Sequence, residues 1–175
     1  MEIIIVILFF SISSAVCIQL FTKAHLLSES SVNLDQATMH AQSVAELFWG
    51  CSGDIEAMSI YDNLDSIIIS NDENIDVHRM LILFDKDWNI IDTPTNDDAR
   101  ETACYMIIAD IEKKKALAVY ADTEYASNIS EDKLAYDCTI NVTDIRKVHE
   151  IPADTKAITG SIIYTLKTDY YLGGL

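Results

Sequence analysis

One stretch limits what this chain can fold into more than any other. Glu2 is followed by nineteen residues, Ile3 to Phe21, that carry no charge and only Ser11, Ser13, Ser14 and Gln19 as polar side chains. At about 1.5 Å per residue a helix of this length covers about 28 Å, close to the roughly 30 Å hydrocarbon core of a bilayer. The sequence therefore predicts a membrane span over residues 1–23. A cleaved secretory signal has a basic n-region, a shorter apolar stretch and an A-x-A-like site, and none of these is present. A lipoprotein signal ending at Cys17 would need a leucine and a small residue ahead of the cysteine, where Ser14-Ala15-Val16 stand.

The helical pattern continues past Lys23. Leu27, Ser30, Leu34, Ala37, Ala41, Val44 and Phe48 recur at spacings of three and four, the stripe of an amphipathic helix face. Neither Pro nor Gly interrupts the chain before Gly50, which is placed where a C′ glycine ends a helix. One helix is expected, with a span at 1–23 and an amphipathic part at 24–50. The stripe residues Leu27, Leu34, Ala41, Val44 and Phe48 are expected to pack on the chain's own domain or on other copies in a bundle.

Glu2, the run Ile-Ile-Ile-Val-Ile-Leu-Phe-Phe after it, the small residues Ser13, Ser14 and Ala15, and the long helix to Phe48 together resemble the start of a type IV pilin or pseudopilin. The resemblance covers about the first 50 residues. It implies a structural subunit, held in the bacterial cytoplasmic membrane with its C-terminal domain outside, and assembled into a type IV pilus, type II secretion or DNA-uptake filament, as a minor subunit. It implies partners: other pilin-like subunits, a prepilin peptidase, assembly-platform proteins and membrane lipid. In that family an acid at the position of Glu2 pairs with the N-terminal ammonium of a neighbouring subunit, which suits a carboxylate that is costly near a membrane core when alone. The family's leader does not precede Glu2 here, so the frame upstream of Met1 is expected to encode a short basic leader ending in Gly.

Residues 51–175 read as one extracytoplasmic α+β domain. Asp54 is positioned to cap a short helix to Tyr61, with Ile55 and Met58 on one side. Strands are expected at Met80 to Phe84, Trp88 to Ile91, Cys104 to Ile111, Ala116 to Ala121, Thr139 to Val142 and Ser161 to Leu166, with a hairpin turning at Lys113-Lys114-Lys115. The fold class is thus a long N-terminal helix packed on an antiparallel sheet, also the pilin-like arrangement. Of the formal charge of −16, residues 1–50 contribute −3 (Lys23 against Glu2, Glu29, Asp35 and Glu46), which leaves −13 for the rest. Direct nucleic-acid binding relies on clustered Lys and Arg, and this balance speaks against it.

Catalytic motifs are missing: there is no G-x-S-x-G, P-loop or G-x-G-x-x-G, and His25, His40, His78 and His149 make no H-x-x-x-H pair, so neither enzyme activity nor a cofactor is expected. Asp85-x-Asp87-x-Asn89 has the spacing that begins an EF-hand loop, but Ile90 and Asn96 fill the glycine and glutamate positions, and a solvated turn is the favoured reading. Cys104 and Cys138 are a candidate disulfide beside buried reduced cysteine as the alternative. Asn128-Ile129-Ser130 and Asn141-Val142-Thr143 fit the glycosylation sequon. A second class of function, an extracytoplasmic PAS-like ligand sensor, shares the span, the long helix and the strands around LILFDKDWNII. No second apolar run of eighteen residues follows that would return such a sensor through the membrane.

Overall fold

In the computed structural model, residues 2–55, 57–58, 68–71, 77–91, 102–124, 126–146 and 161–173 are described. Helix α1 spans Glu2–Gly50. It is followed by strands β1 (Ile68–Asn71), β2 (Val77–Phe84) and β3 (Tyr105–Lys115), a single helical turn α2 (Ala116–Val119), a 3-10 turn (Ala126–Asn128), and strands β4 (Leu134–Asp144) and β5 (Ser161–Tyr171). The strands form one antiparallel sheet in the order β1-β2-β3-β4-β5. The α+β class read from the sequence therefore holds. The chain divides into two compact units, one through Gln36 and one from Ala37 onward.

In the first unit, hydroxyl side chains are turned back on the helix. Ser11 Oγ donates to the Ile7 carbonyl at 2.8 Å and Thr22 Oγ1 to that of Ile18 at 3.0 Å. A hydroxyl bonded in this way carries no unmet polar group to the outside of an apolar helix.

In the second unit, α1 lies on one sheet face. Ala37, Ala41, Val44 and Phe48 are buried with Met80, Ile82 and Phe84 of β2, Tyr105, Ile107, Ala109 and Ile111 of β3, and Cys138, Ile140 and Val142 of β4. The alternation is that of a pleated strand, but it does not leave the other face bare. Leu81, Leu83, Met106, Ile108 and Ile145 form a second buried cluster there, so β3 is apolar on both sides. Further along the same face the strands turn polar. Arg79 grips Asp110 with two hydrogen bonds, Nη2 to Oδ2 at 2.9 Å. Lys114 Nζ lies 2.7 Å from Glu112 and 2.8 Å from Asp137. Asp137 and Asp169 are directly opposite in the β4-β5 register, a destabilising like-charge pair. Lys114 neutralises the first, and the Tyr120 hydroxyl donates to the second.

Four sequence expectations are corrected. Residues Lys113–Lys115 continue β3 and pair with β4, and the chain turns at α2, so Ala116 to Ala121 is not a strand and the two-strand hairpin around the lysines does not exist. Ala-Leu-Ala-Val is apolar enough to read as either element, and Ala favours the helix. Residues 88–91 form a turn with a lone bridge between Ile90 and Phe84. Strand β1 was not anticipated. Finally, α1 does not end with Gly50 as its C′ residue. The Gly53 N–H bonds the Phe48 carbonyl at 2.8 Å and the Ser52 N–H bonds that of Trp49 at 3.1 Å, the paired bonds of a Schellman motif. Ser52 takes the left-handed conformation at φ 57° and Gly53 follows at 79°. The Asp54 cap is present, with the Ala57 N–H 3.4 Å from Asp54 Oδ1; residues 59–61 of that expected helix lie outside the described residues.

The two glycines of this terminus should respond oppositely to alanine. A Cβ on Gly50 meets nothing within 4 Å, whereas one on Gly53 would sit 2.5 Å from the Tyr136 ring at a φ that L residues avoid. Gly50→Ala should stabilise the chain by about 0.5–1 kcal/mol, the helix-propensity difference. Gly53→Ala should destabilise it by about 1–2 kcal/mol or more. Thermal melts of the full chain in detergent read both, and equal shifts of the same sign would contradict this geometry.

Candidate functional site

Every residue from Ile3 to Phe21 except the half-buried Ser14 is exposed, with Ile3 at 74% and Phe21 at 77%. Glu2 is the acid of the first helical turn. This is one helix long and apolar enough to cross a membrane. An apolar surface of this extent is stable only when lipid or other protein covers it.

The stripe divides. Ala41, Val44 and Phe48 are buried in the domain core with Ala37, while Leu27 and Leu34 are 75% and 45% exposed. The expectation that the stripe packs on the chain's own domain thus holds from Ala37 and is corrected for Leu27 and Leu34. The small side chains at 37 and 41 permit a close approach to the sheet, which Leu at those positions would block.

An aromatic ladder lies beside this contact. Trp88 stacks on Tyr105 at 4.1 Å with planes 11° apart, and His40 of α1 stacks with Trp88 at 5.7 Å and 10°. His40 also leans on Phe84 at 4.6 Å, and the Arg146 guanidinium covers the Tyr105 ring at 5.2 Å. Trp88 adopts φ 63°, a strained conformation for a bulky residue. The Asp85 turn imposes it: Asp85 Oδ1 accepts the N–H groups of Asp87 at 2.8 Å and Asn89 at 2.9 Å, and Oδ2 accepts Asn89 Nδ2 at 3.0 Å. The bonds from Asn89 hold the Asp85 carboxyl below the usual carboxylate range. Asp85, Asp87 and Asn89 therefore carry the pattern of an Asx turn, and the carboxylate that would begin a calcium loop is engaged by its own backbone. Asn96 lies outside the described residues.

Burial against these rings holds the His40 imidazole below its ordinary value of 6.5. His40, Ser43, Val44, Glu46 and Leu47 of α1, with Ile82, Phe84, Ile90 and Ile107, line a cleft of about 320 Å³. His40 was read from the sequence only as one of four scattered histidines. Its ring partners, Phe84 and Trp88, lie more than forty residues further along the chain, and no local spacing links them to it.

All four cysteines are free, which corrects the candidate disulfide. Cys138 is opposite Ile111, and Cys104 precedes Ile111 by seven residues on the same strand line, bonded through its carbonyl to the Ile145 N–H. Seven extended residues amount to about 23 Å, against the roughly 7 Å a disulfide tolerates between Cα atoms. Burial pushes the Cys138 thiol up to about 12. The sequons also separate: Asn128 is exposed in the 3-10 turn, whereas Asn141 is in β4 and accepts a bond from Thr165 Oγ1 at 2.8 Å.

No protein-family model, curated protein or solved structure matches this chain.

Two measurements check this arrangement. In the folded chain at pH 8, iodoacetamide should label Cys104 while Cys138 reacts at least about a hundredfold more slowly until the protein is unfolded, because the thiolate is the nucleophile. Comparable rates would contradict the burial of Cys138. The second concerns His40, whose folded form disfavours the proton. The unfolded chain binds a proton near 6.5 that the folded chain does not, so the contribution of His40 is complete above that pH and is lost as pH falls toward its lower folded value. Between pH 7 and 5 the wild type should lose more stability than His40→Phe, which keeps a ring in place. Parallel pH profiles for the two proteins would refute this.

Proposed function

We propose that this chain is a structural subunit of the pilin or pseudopilin kind, anchored by α1 in a cytoplasmic membrane with its α+β domain outside, and that it is drawn from there into a filament of a type IV pilus, type II secretion or DNA-uptake machine. The observation that carries the reading is the first part of α1: a charge-free apolar surface exposed on every side, headed by one carboxylate in the first turn. A span that served only as an anchor gains nothing from Glu2. A span that must find its place among identical spans gains register from it, because a buried charge is satisfied only where an opposite charge meets it. The helix followed by an antiparallel sheet agrees with the arrangement that the resemblance implies. In this reading the partners are other subunits of the same kind, a prepilin peptidase, assembly-platform proteins and lipid.

The function is packing. Glu2→Leu should therefore leave folding and membrane insertion intact, since it removes a charge that an isolated span is better without. Assembly should fail instead. In cells that hold the other components of the machine, the ratio of filament-associated to membrane-associated subunit should fall by at least about tenfold, since an ion pair at low dielectric is worth several kcal/mol more than one in water. An unchanged ratio would remove the role assigned to Glu2, and with it the main support for a filament subunit.

A further inference from the structure

Strand β5 is the last of the sheet, and its outer edge is long. Among the described residues it pairs with β4 alone, over Ser161–Tyr171, and its side chains hydrogen-bond only to Asn141, Trp49 and Tyr120. The Leu172 N–H bonds the Leu134 carbonyl at 3.0 Å. Bonding in an antiparallel ladder alternates from residue to residue. The N–H and C=O groups of Leu166, Thr168 and Tyr170 are therefore spent on β4, while those of Thr165, Lys167, Asp169 and Tyr171 point away from it. No Pro interrupts this row, and an open row of strand amides is a template for another strand.

The side chains make the edge complementary to itself. When β5 is set antiparallel to a copy about a two-fold axis at Thr168, Lys167 faces the second copy's Asp169 and Asp169 faces its Lys167. In the same register Leu166 faces Tyr170 and Tyr164 faces Leu172, all on the face that carries α1. Lys167 is exposed and has no ion-pair partner among the described residues. Asp169 meets only the like charge of Asp137 across the β4-β5 ladder, so the copy supplies an opposite charge that its own sheet does not. Shifting the pairing by two residues either way sets Lys167 against Lys167 or Asp169 against Asp169, and shifting it by one turns apolar side chains toward the charged face.

We infer that β5 binds β5 of a second copy of this chain, joining two five-stranded sheets into one continuous antiparallel sheet. Trp49, 56% exposed and bonded to Thr168, stands beside the axis, where the pairing shelters it from water. An axis perpendicular to the sheet keeps Ala37–Gly50 of both copies on one face and reverses the direction of the second. The two copies are thus not parallel neighbours of the kind a filament contains, and the contact joins chains that meet from opposite directions. It is independent of the filament reading, which rests on the first part of α1.

The full chain in detergent micelles, as wild type, Lys167→Asp and Asp169→Lys, is followed by light scattering on a sizing column. Wild type should dimerise with a Kd below about 0.1 mM. Each variant alone sets like charges opposite each other twice and should dimerise at least about tenfold more weakly. Mixed in equal amounts, the two variants should form a heterodimer as tight as the wild-type dimer, because each supplies the charge the other lacks. Neither a folding defect nor a contact through the membrane span produces that rescue. The inference is overturned if wild type stays monomeric at about 0.1 mM, if either variant alone dimerises as tightly as wild type, or if the mixture associates no better than its components.

Discussion

The domain depends on the contact between α1 and one face of its sheet. Ala37, Ala41, Val44 and Phe48 cover Ile82, Ile107, Ile111, Ile140 and Val142. Without the helix that face would be an apolar surface open to water. A buried aromatic such as Phe48 is worth about 1.5–3 kcal/mol in transfer alone and about 3–5 kcal/mol when truncated to alanine. That single residue is a large fraction of a typical domain stability of 5–15 kcal/mol. The Schellman closure at Ser52 and Gly53 belongs to the same contact, since it turns the chain just after Phe48 and lets Tyr136 pack over Gly53. The helix is therefore indispensable to the fold of the second unit while its first 21 residues have the composition of a membrane span.

Legibility from sequence followed the range of the determining interactions. The span and the length of α1 were readable because hydropathy and the lack of Pro or Gly are properties of consecutive residues. Strands β2 and β3 were readable because their apolar runs are long, and the cores of β4 and β5 were found short of their full lengths. Ala116 to Val119 was misread because an apolar tetrapeptide holds no period. The C′ position was misplaced by two residues because Gly50 is glycine without needing to be, and the left-handed position falls to Ser52. The Leu27 and Leu34 positions show the limit of a periodic stripe: spacing identifies a face but not where along it the covering sheet begins.

The acid-x-acid-x-Asn spacing at 85–89 shows how one local pattern serves two chemistries. Side-chain oxygens at alternate positions can converge on a cation or cap the N–H groups of their own turn. Here the capping wins because Asp85 receives three hydrogen bonds within five residues. The turn delivers Trp88 at a positive φ onto Tyr105 and His40. That placement depends on residues 40, 84, 105 and 146, so nothing in the local sequence announces it.

The position of the cleft follows from how α1 crosses the sheet. Near its end, Trp49 donates its indole N–H to Thr168 Oγ1 at 2.7 Å and meets Tyr170 edge-on, so the terminus lies over β5. Nine residues earlier His40 lies over Phe84 and Trp88, at the end of β2. A helix that starts over one side of a five-stranded sheet and ends over the other covers it obliquely, and a rigid cylinder about 10 Å across cannot fill both corners. The Ala residues at 37 and 41 bring the helix down onto the sheet. Ser43 and Glu46 are exposed on the flank of α1 beside this contact, where they line a cleft with the half-buried Leu47 and the exposed Ile90. Oblique packing thus keeps Ser43 and Glu46 in water at the flank of the contact while Ala37, Ala41, Val44 and Phe48 of the same helix are buried on the sheet, so one helix meets both environments without desolvating a charge.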